Sequence, residues 1–433
     1  MKLVYYAIIV LVLVSCKHNS PDSNNHKEGH FSGVFSYKNF SDTIEFDIER
    51  DSTGYQVFFT SLEQNANRIP FQNVQVQGDS ISFLLQSDYY TYNFKNKWSA
   101  NFSNLTGTLY VDSIAVPYVL EKDAPNQQNA LRSEEISFES NGLQLFGTIW
   151  HPVKSFNKGL VLVTSSGNAD RSASRAEAIL FAKKGYTTFH YDKRGTGNSE
   201  GNWEAATMEE LLSDDTNALQ VFSAKSGIPL SKTGIKGSSQ GATKIPYILN
   251  ELTDLSYGIV VSCPGTTLLE SDLNYWKNNN SDALGKDMHE AVNLQRKVFE
   301  YIAGTIDKTE LEKSIAAEQE KLWFSKIWVP NLEEVQIDTK LNYNPIPYFE
   351  KTQQPILIVQ GTSDEIIPAN SYASIATALE KAKNSHFETV LLEGASHSMN
   401  EVAKSDFPYW SKLHPAYIKT LEDWIARVPP SKP

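Results

Sequence analysis

Cysteine is scarce: Cys16 and Cys263 are the two in 433 residues. That excludes a disulfide-stapled scaffold and a cysteine-based zinc site. Basic residues are in deficit too. Lys and Arg number 39 against 51 Asp and Glu, a formal net charge of −12. Phosphate backbones need clustered Lys and Arg, so nucleic acid is excluded as a partner. The apolar stretch Val4 to Val14 falls short of the roughly 20 residues a membrane-spanning helix needs. What is present is globular: 40% hydrophobic and 11% aromatic. That supports a buried core and excludes whole-chain disorder. The length allows about two or three domains at about 100–200 residues each.

The N-terminus, MKLVYYAIIVLVLVSC, has a basic start and a short apolar middle, the pattern of a secretory signal peptide over 1–15. Leu13-Val14-Ser15-Cys16 resembles the bacterial lipobox, which implies lipidation of Cys16 and a lipid-anchored place on the bacterial cell envelope. Residues 16–30 are polar and rich in Asn and Ser, which suits a tether. The membrane contact expected is this lipidated N-terminus.

Residues 31–122 predict a small antiparallel all-β domain, a barrel or sandwich. Ile44, Phe46 and Ile48 alternate with acidic residues, and Tyr55, Val57 and Phe59 repeat the period. No catalytic cluster stands out, so a structural or docking role is expected. Tyr89, Tyr90 and Tyr92 are the candidates for a glycan or lipid contact. A linker at 123–134 follows. From 135 to 433 apolar strands alternate with amphipathic helices, which predicts an α/β fold: a mostly parallel sheet flanked by helices. Asn141-Gly142 splits an opening hairpin, and a final helix is expected near 409–426. Between about 265 and 345 the alternation stops. The segment is charged and helical in pattern and carries Trp276, Trp323 and Trp328. It reads as a cap insertion whose aromatic residues shape a pocket.

Gly237-Ser238-Ser239-Gln240-Gly241 matches G-x-S-x-G between a predicted strand and a predicted helix. Glycines there allow a sharp, strained turn, and the helix N-terminus favours developing negative charge. Ser239 is the candidate nucleophile. A serine hydroxyl needs a base, and in chain order the acid and then the His follow such an elbow. Among His289, His386, His397 and His414, only His397 directly follows the carboxyl end of a strand, where catalysts collect in open α/β sheets. Asp364 follows the preceding strand end and is the acid expected to orient the imidazole, with Glu365 the alternative. The oxyanion donors expected are the N–H groups of Gln240 and Ser166, with Gly167 the alternative to Ser166.

At these residues the chain resembles the α/β-hydrolase superfamily, and within it bacterial carboxylesterases grouped with dienelactone-hydrolase and serine-aminopeptidase-like enzymes. The likeness rests on 161–171 (VLVTSSGNADR), 191–199 (YDKRGTGNS), the elbow, and 355–368 (PILIVQGTSDEIIP) with the His397 loop. It implies a serine esterase that cleaves a small-molecule carboxylic ester through an acyl-enzyme, with no cofactor and no metal. Ser165-Ser166-Gly167 departs from the His-Gly or Gly-Ser-Gly of many relatives, which bears on the oxyanion loop alone. The glycines at 195, 197 and 201 miss the dinucleotide-binding spacing, and Asp192 and Arg194 are expected to hold that turn. Two other readings stay open: a serine peptidase on the same fold, and a non-catalytic surface lipoprotein that binds glycans through its β domain.

Overall fold

A computed structural model describes residues 26–87, 89–123, 131–403 and 405–428. The expected signal peptide, Cys16 and most of the tether lie outside the described residues, as does the middle of the linker.

The first sheet holds β1 (Gly29–Tyr37), β2 (Phe40–Asp51), β3 (Gly54–Ser61), β4 (Ala66–Pro70), β5 (Gln72–Gln77), β6 (Ser80–Gln86), β7 (Thr91–Trp98), β8 (Asn104–Val111) and β9 (Ile114–Lys122). β1 begins inside the expected tether. β7 and β8 bury every second residue, the half-buried pattern of a strand with one apolar face. Neighbours pair antiparallel in the order β4-β3-β2-β1-β9-β8-β7-β6-β5. Strict alternation makes the edge strands β4 and β5 run in the same direction, and only Phe71 separates them. They are two halves of one bent strand. Pro70 has no N–H to give the ladder, while Phe71 N–H still bonds Val57 O on β3 at 2.9 Å. The sheet therefore curls on itself as an up-and-down barrel, with the bent strand at its seam paired to β3 through its first half and to β6 through its second. Phe46 lies edge-on to Phe71, Phe83 and Phe94 in its interior.

Two interior residues arrive from far along the chain. Phe407 and Trp410 are buried in the barrel core. This corrects the expected helix near 409–426. The helix there, α9 (Tyr417–Arg427), starts only at Tyr417, because Pro408 and Pro415 interrupt the segment and Trp410 is drawn into the barrel. It also corrects the tyrosine reading. Tyr92 is buried and its hydroxyl donates to Tyr409 O at 2.8 Å, and Tyr90 packs edge-on to Tyr409. Only Tyr89 is free at the surface.

The second sheet orders its strands β10-β11-β13-β12-β14-β15-β16-β17. They are β10 (Arg132–Ser140), β11 (Leu143–His151), β12 (Gly159–Val163), β13 (Thr187–Tyr191), β14 (Thr233–Ser238), β15 (Tyr257–Val261), β16 (Ile356–Gly361) and β17 (Phe387–Leu392). The sheet is mixed, where a mostly parallel one was expected. Asn141 and Gly142, at φ 50° and 79°, fold β10 back on β11 as a hairpin, and β11 pairs antiparallel with β13. From β13 onward the pairs are parallel. β12, β13 and β15 are buried throughout, as strands covered on both faces must be.

The covering helices are α1 (Ser172–Lys183), α2 (Met208–Ser226), α3 (Gln240–Glu251), α7 (Ile346–Phe349), α8 (Ser371–Lys381) and α9 (Tyr417–Arg427). α2 shows why its ends fall where they do: Thr207 and Glu210 form a capping box, and Gly227 closes the C-terminus in the left-handed region.

Between β15 and β16 lies the insertion, with α4 (Leu268–Leu284), α5 (Met288–Ile302) and α6 (Lys308–Glu318). It has its own apolar core, and Trp276 and Trp323 are part of it. Trp328 is half exposed against Phe299. The tryptophans thus hold the cap together and do not line the pocket. Among the described residues no helix is long and apolar enough to cross a membrane.

Candidate active site

Ser239 stands between β14 and α3 with φ 53° and ψ −127°, a sparsely populated conformation for a non-glycine residue. The flanking glycines make that turn possible. A Cβ on Gly237 would come within 2.5 Å of the Gly241 backbone, and one on Gly241 within 2.8 Å of Thr164 O. Ser239 N–H bonds Val261 O at 2.9 Å, which ties the elbow to β15. Its hydroxyl is left half-buried and without a hydrogen bond among the described residues.

Asp364 and His397 meet as the chain order suggested. His397 Nδ1 lies 2.9 and 3.0 Å from the two Asp364 carboxylate oxygens. The Asp364 side chain is 1% exposed and also accepts the N–H groups of Ile366 and Ile367 at 2.9 and 3.2 Å. Those donors fix its rotamer. Glu365 offers only its backbone carbonyl, to Asn278. Ser262 Oγ donates to His397 O at 2.7 Å and anchors the loop. Of the other histidines, His289 is exposed on the cap, His386 precedes β17 at the opposite end of the sheet, and His414 turns its ring to Ala416 N–H.

Ser239 and His397 line one cavity of about 660 Å³. No hydrogen bond joins their side chains, and such bonds are often long before substrate arrives. Gln240 opens α3, so its N–H has no intrahelical acceptor. Thr164, Ser165 and Ser166 line the same cavity, while Gly167 does not.

Sequence reasoning missed what holds that loop. Lys193 Nζ donates to Ser165 O at 2.7 Å and also to Gly167 O. Burial, with Lys244 nearby, pushes its ammonium down to about 8. Asp192 and Arg194 act on the turn as expected. Asp192 accepts Arg171 N–H and Asn198 N–H at 2.8 and 3.0 Å, and Arg194 grips Asp214 and Glu210 at 2.7 Å each.

A buried ion pair beside the elbow was also missed. Lys236 Nζ lies 2.6 Å from Glu177 Oε2, with side chains 6% and 7% exposed, and Tyr417 OH donates to Glu177 Oε1 at 2.8 Å. Neither charge has a sequence partner at helical or strand spacing, so nothing local marks the pair. Lys236→Met should lower stability by about 3–5 kcal/mol, because it strands a buried carboxylate. Urea unfolding checks this; a loss under about 1 kcal/mol would mean that water already compensates the pair.

The model of the X-Pro dipeptidyl-peptidase (S15) family matches residues 116–399, more than half of the chain and the stretch holding Ser239, Asp364 and His397. The chain belongs to the S15 family. Together with the strand order, this makes the S15-family chain a serine hydrolase of the α/β-hydrolase superfamily. Similar solved structures include an esterase of Pyrococcus furiosus at 14% identity, covering 69% of this chain and 91% of that one, with a TM-score of 0.45. A proline iminopeptidase of Mycobacterium smegmatis is similar at 15% identity, with coverages of 68% and 95% and a TM-score of 0.42. The esterase domain of a Rhodothermus marinus protein is similar at 15% identity, with coverages of 68% and 99% and a TM-score of 0.40. No curated protein matches by sequence.

Proposed function

We propose that the chain hydrolyses carboxylic esters through an acyl-enzyme on Ser239. One observation carries the reading: Ser239, strained and with a hydroxyl that makes no hydrogen bond among the described residues, and an Asp364-bound His397 line the same cavity. In this reading His397 Nε2 takes the Ser239 proton as Oγ attacks the acyl carbon. The carbonyl oxygen gains the electron pair and is held by the N–H groups of Gln240 and Ser166. As the tetrahedral species collapses, the alkoxide leaves with the proton from His397. Water then repeats the sequence on the acyl-enzyme and releases the acid. Asp364 keeps the imidazole in the tautomer with Nδ1–H.

A second reading, amide cleavage at the end of a peptide, has its own support. The matching family is one of X-Pro dipeptidyl-peptidases. On the cap side of the cavity, Asp272 has no hydrogen bond among the described residues; it is open to the solvent of the cavity mouth, yet partial desolvation, with Asp338 second, pushes its carboxyl up to about 6. A free amine could pair with it.

A panel of p-nitrophenyl esters, acetylated sugars and Xaa-Pro p-nitroanilides separates the two. Esters are the more reactive acyl donors, so either enzyme turns over an aryl ester. The ester reading falls if the Xaa-Pro amide has the higher kcat/KM. In that case the acid limb has a stated direction. Asp272 is anionic above about 6 and neutral below, so KM for a cationic peptide should rise as pH falls through that value. Asp272→Asn should flatten the dependence.

A further inference from the structure

We propose that the barrel is half of the active site: its β3–β4 loop positions the His397 loop and places Asn65 in the substrate cavity as a specificity-determining side chain. The proposal rests on the serine-hydrolase reading above and extends it to a part of the chain without catalytic groups of its own.

The connection can be followed bond by bond. His397 sits in a tight turn closed by Ser396 N–H to Asn400 O at 2.8 Å. The outgoing arm pairs with a later stretch of chain: Glu401 N–H bonds Lys412 O at 2.8 Å, and His414 N–H bonds Met399 O at 2.7 Å. That later stretch is fastened to the barrel. Leu413 N–H donates to Glu63 O at 2.6 Å, and Lys412 pairs with the Glu63 carboxylate. Between the two arms, residues 405–413 form a strap whose Phe407 and Trp410 are 0% and 6% exposed inside the barrel. The Trp410 ring centroid lies 4.5 Å from that of Phe35 and 5.1 Å from that of Phe407. The outgoing arm of the turn is thus tied through 412–414 to a packed barrel, while the incoming arm is held at Ala395 by the loop after β16, so the imidazole has little freedom to move.

The same barrel loop reaches the cavity. Glu63 belongs to a short helical turn, Leu62–Gln64, capped by Ser61 and held through Ser61 Oγ to the buried Asp42. The next residue, Asn65, lines the cavity that holds Ser239 and His397. Its backbone is left-handed at φ 53°, which Asn tolerates, and its side-chain amide makes no hydrogen bond among the described residues. Three residues on, Arg68 O accepts Arg175 Nη1 of α1 at 3.1 Å, which seats the loop against the α/β unit. The loop and the strand after it thus reach the segment paired with the base-bearing turn, the cavity and the helix behind it.

The test uses the full chain. Fluorophosphonate labelling of wild-type Ser239, located by mass spectrometry, checks the underlying reading by itself. Trp410→Ala should then lower kcat on p-nitrophenyl acetate by about 100-fold per folded molecule, the effect of misplacing a catalytic group by about an ångström. KM should stay within about threefold, since the acyl pocket is untouched. The low-field proton resonance of the His397–Asp364 hydrogen bond should broaden or vanish. Trp410→Phe should restore both readouts. Tyr92→Phe removes one bond to the strap without emptying the core and should give a milder loss. It keeps the test decisive if Trp410→Ala does not fold. Asn65→Gly preserves the backbone conformation, and it should raise KM for p-nitrophenyl 8-hydroxyoctanoate by about fivefold relative to p-nitrophenyl octanoate, one lost polar contact. A purely structural barrel would lower the melting temperature and leave kcat per folded molecule and the resonance unchanged. That result in the folded strap variants, or KM ratios within a factor of about two for Asn65→Gly, overturns the proposal. Wild-type protein that resists the fluorophosphonate overturns the serine-hydrolase reading instead, and the resonance still reports on the strap.

Discussion

Ser239→Ala should lower kcat on an activated aryl ester by roughly 10⁴-fold or more, the scale seen when a catalytic serine is removed and only the oxyanion donors and binding remain. The fold should not suffer. Ser239 Oγ has no hydrogen bond among the described residues, so its removal breaks no contact, and the shift in stability should stay within about 0.5 kcal/mol. Ser239→Gly sharpens the test. The residue sits at φ 53° and ψ −127°, where only glycine is at ease, so this variant should gain stability, by up to about 1–2 kcal/mol, while losing the same activity. Steady-state rates and thermal melts on the three proteins check both statements. Undiminished turnover in a folded Ser239→Ala would remove Ser239 from the chemistry.

Asp364→Asn should cost almost as much, about 10⁴-fold in kcat. The buried carboxylate faces His397 Nδ1 at 2.9 Å and two backbone N–H groups at its other side. An Asn placed there can satisfy the backbone donors with its oxygen, which turns its NH₂ toward the imidazole. Nδ1 must then accept, the proton moves to Nε2, and the nitrogen facing the cavity can no longer take a proton from serine. Binding should hardly change, so KM is the control. Nitrogen NMR of the His397 ring reports the tautomer directly. Glu365→Gln, one residue away with no side-chain contact to His397, should leave the rate within about twofold. A reversal of the two variants would assign the acid to Glu365.

The contrast between what was legible and what was not follows the range of the interactions. The Gly237–Gly241 elbow, the hairpin at Asn141-Gly142 and the strand ends before Asp364 and His397 are local patterns. Turn residues and period-2 or period-3.6 apolar spacing mark them within about ten residues. The pairing of Asp364 with His397, and the cavity His397 shares with Ser239, were readable because open α/β sheets collect their functional loops at one end.

Other features have no local mark. Pro70-Phe71 closes the barrel only because β3 and β6 flank the bent strand on both sides. Trp410 looks like part of a helix until the barrel core is there to take it. The cap tryptophans read as pocket walls until Trp276 and Trp323 find each other in a core of their own. Lys193, Lys236 and Glu177 become informative only when folding buries them beside partners far away in sequence. Residue order therefore determined the layers, the turns and the three polar side chains on which the proposed chemistry rests. Tertiary packing decided which surface faces them, because burial and charge pairing between distant segments depend on where the chain meets itself, and no periodicity records that.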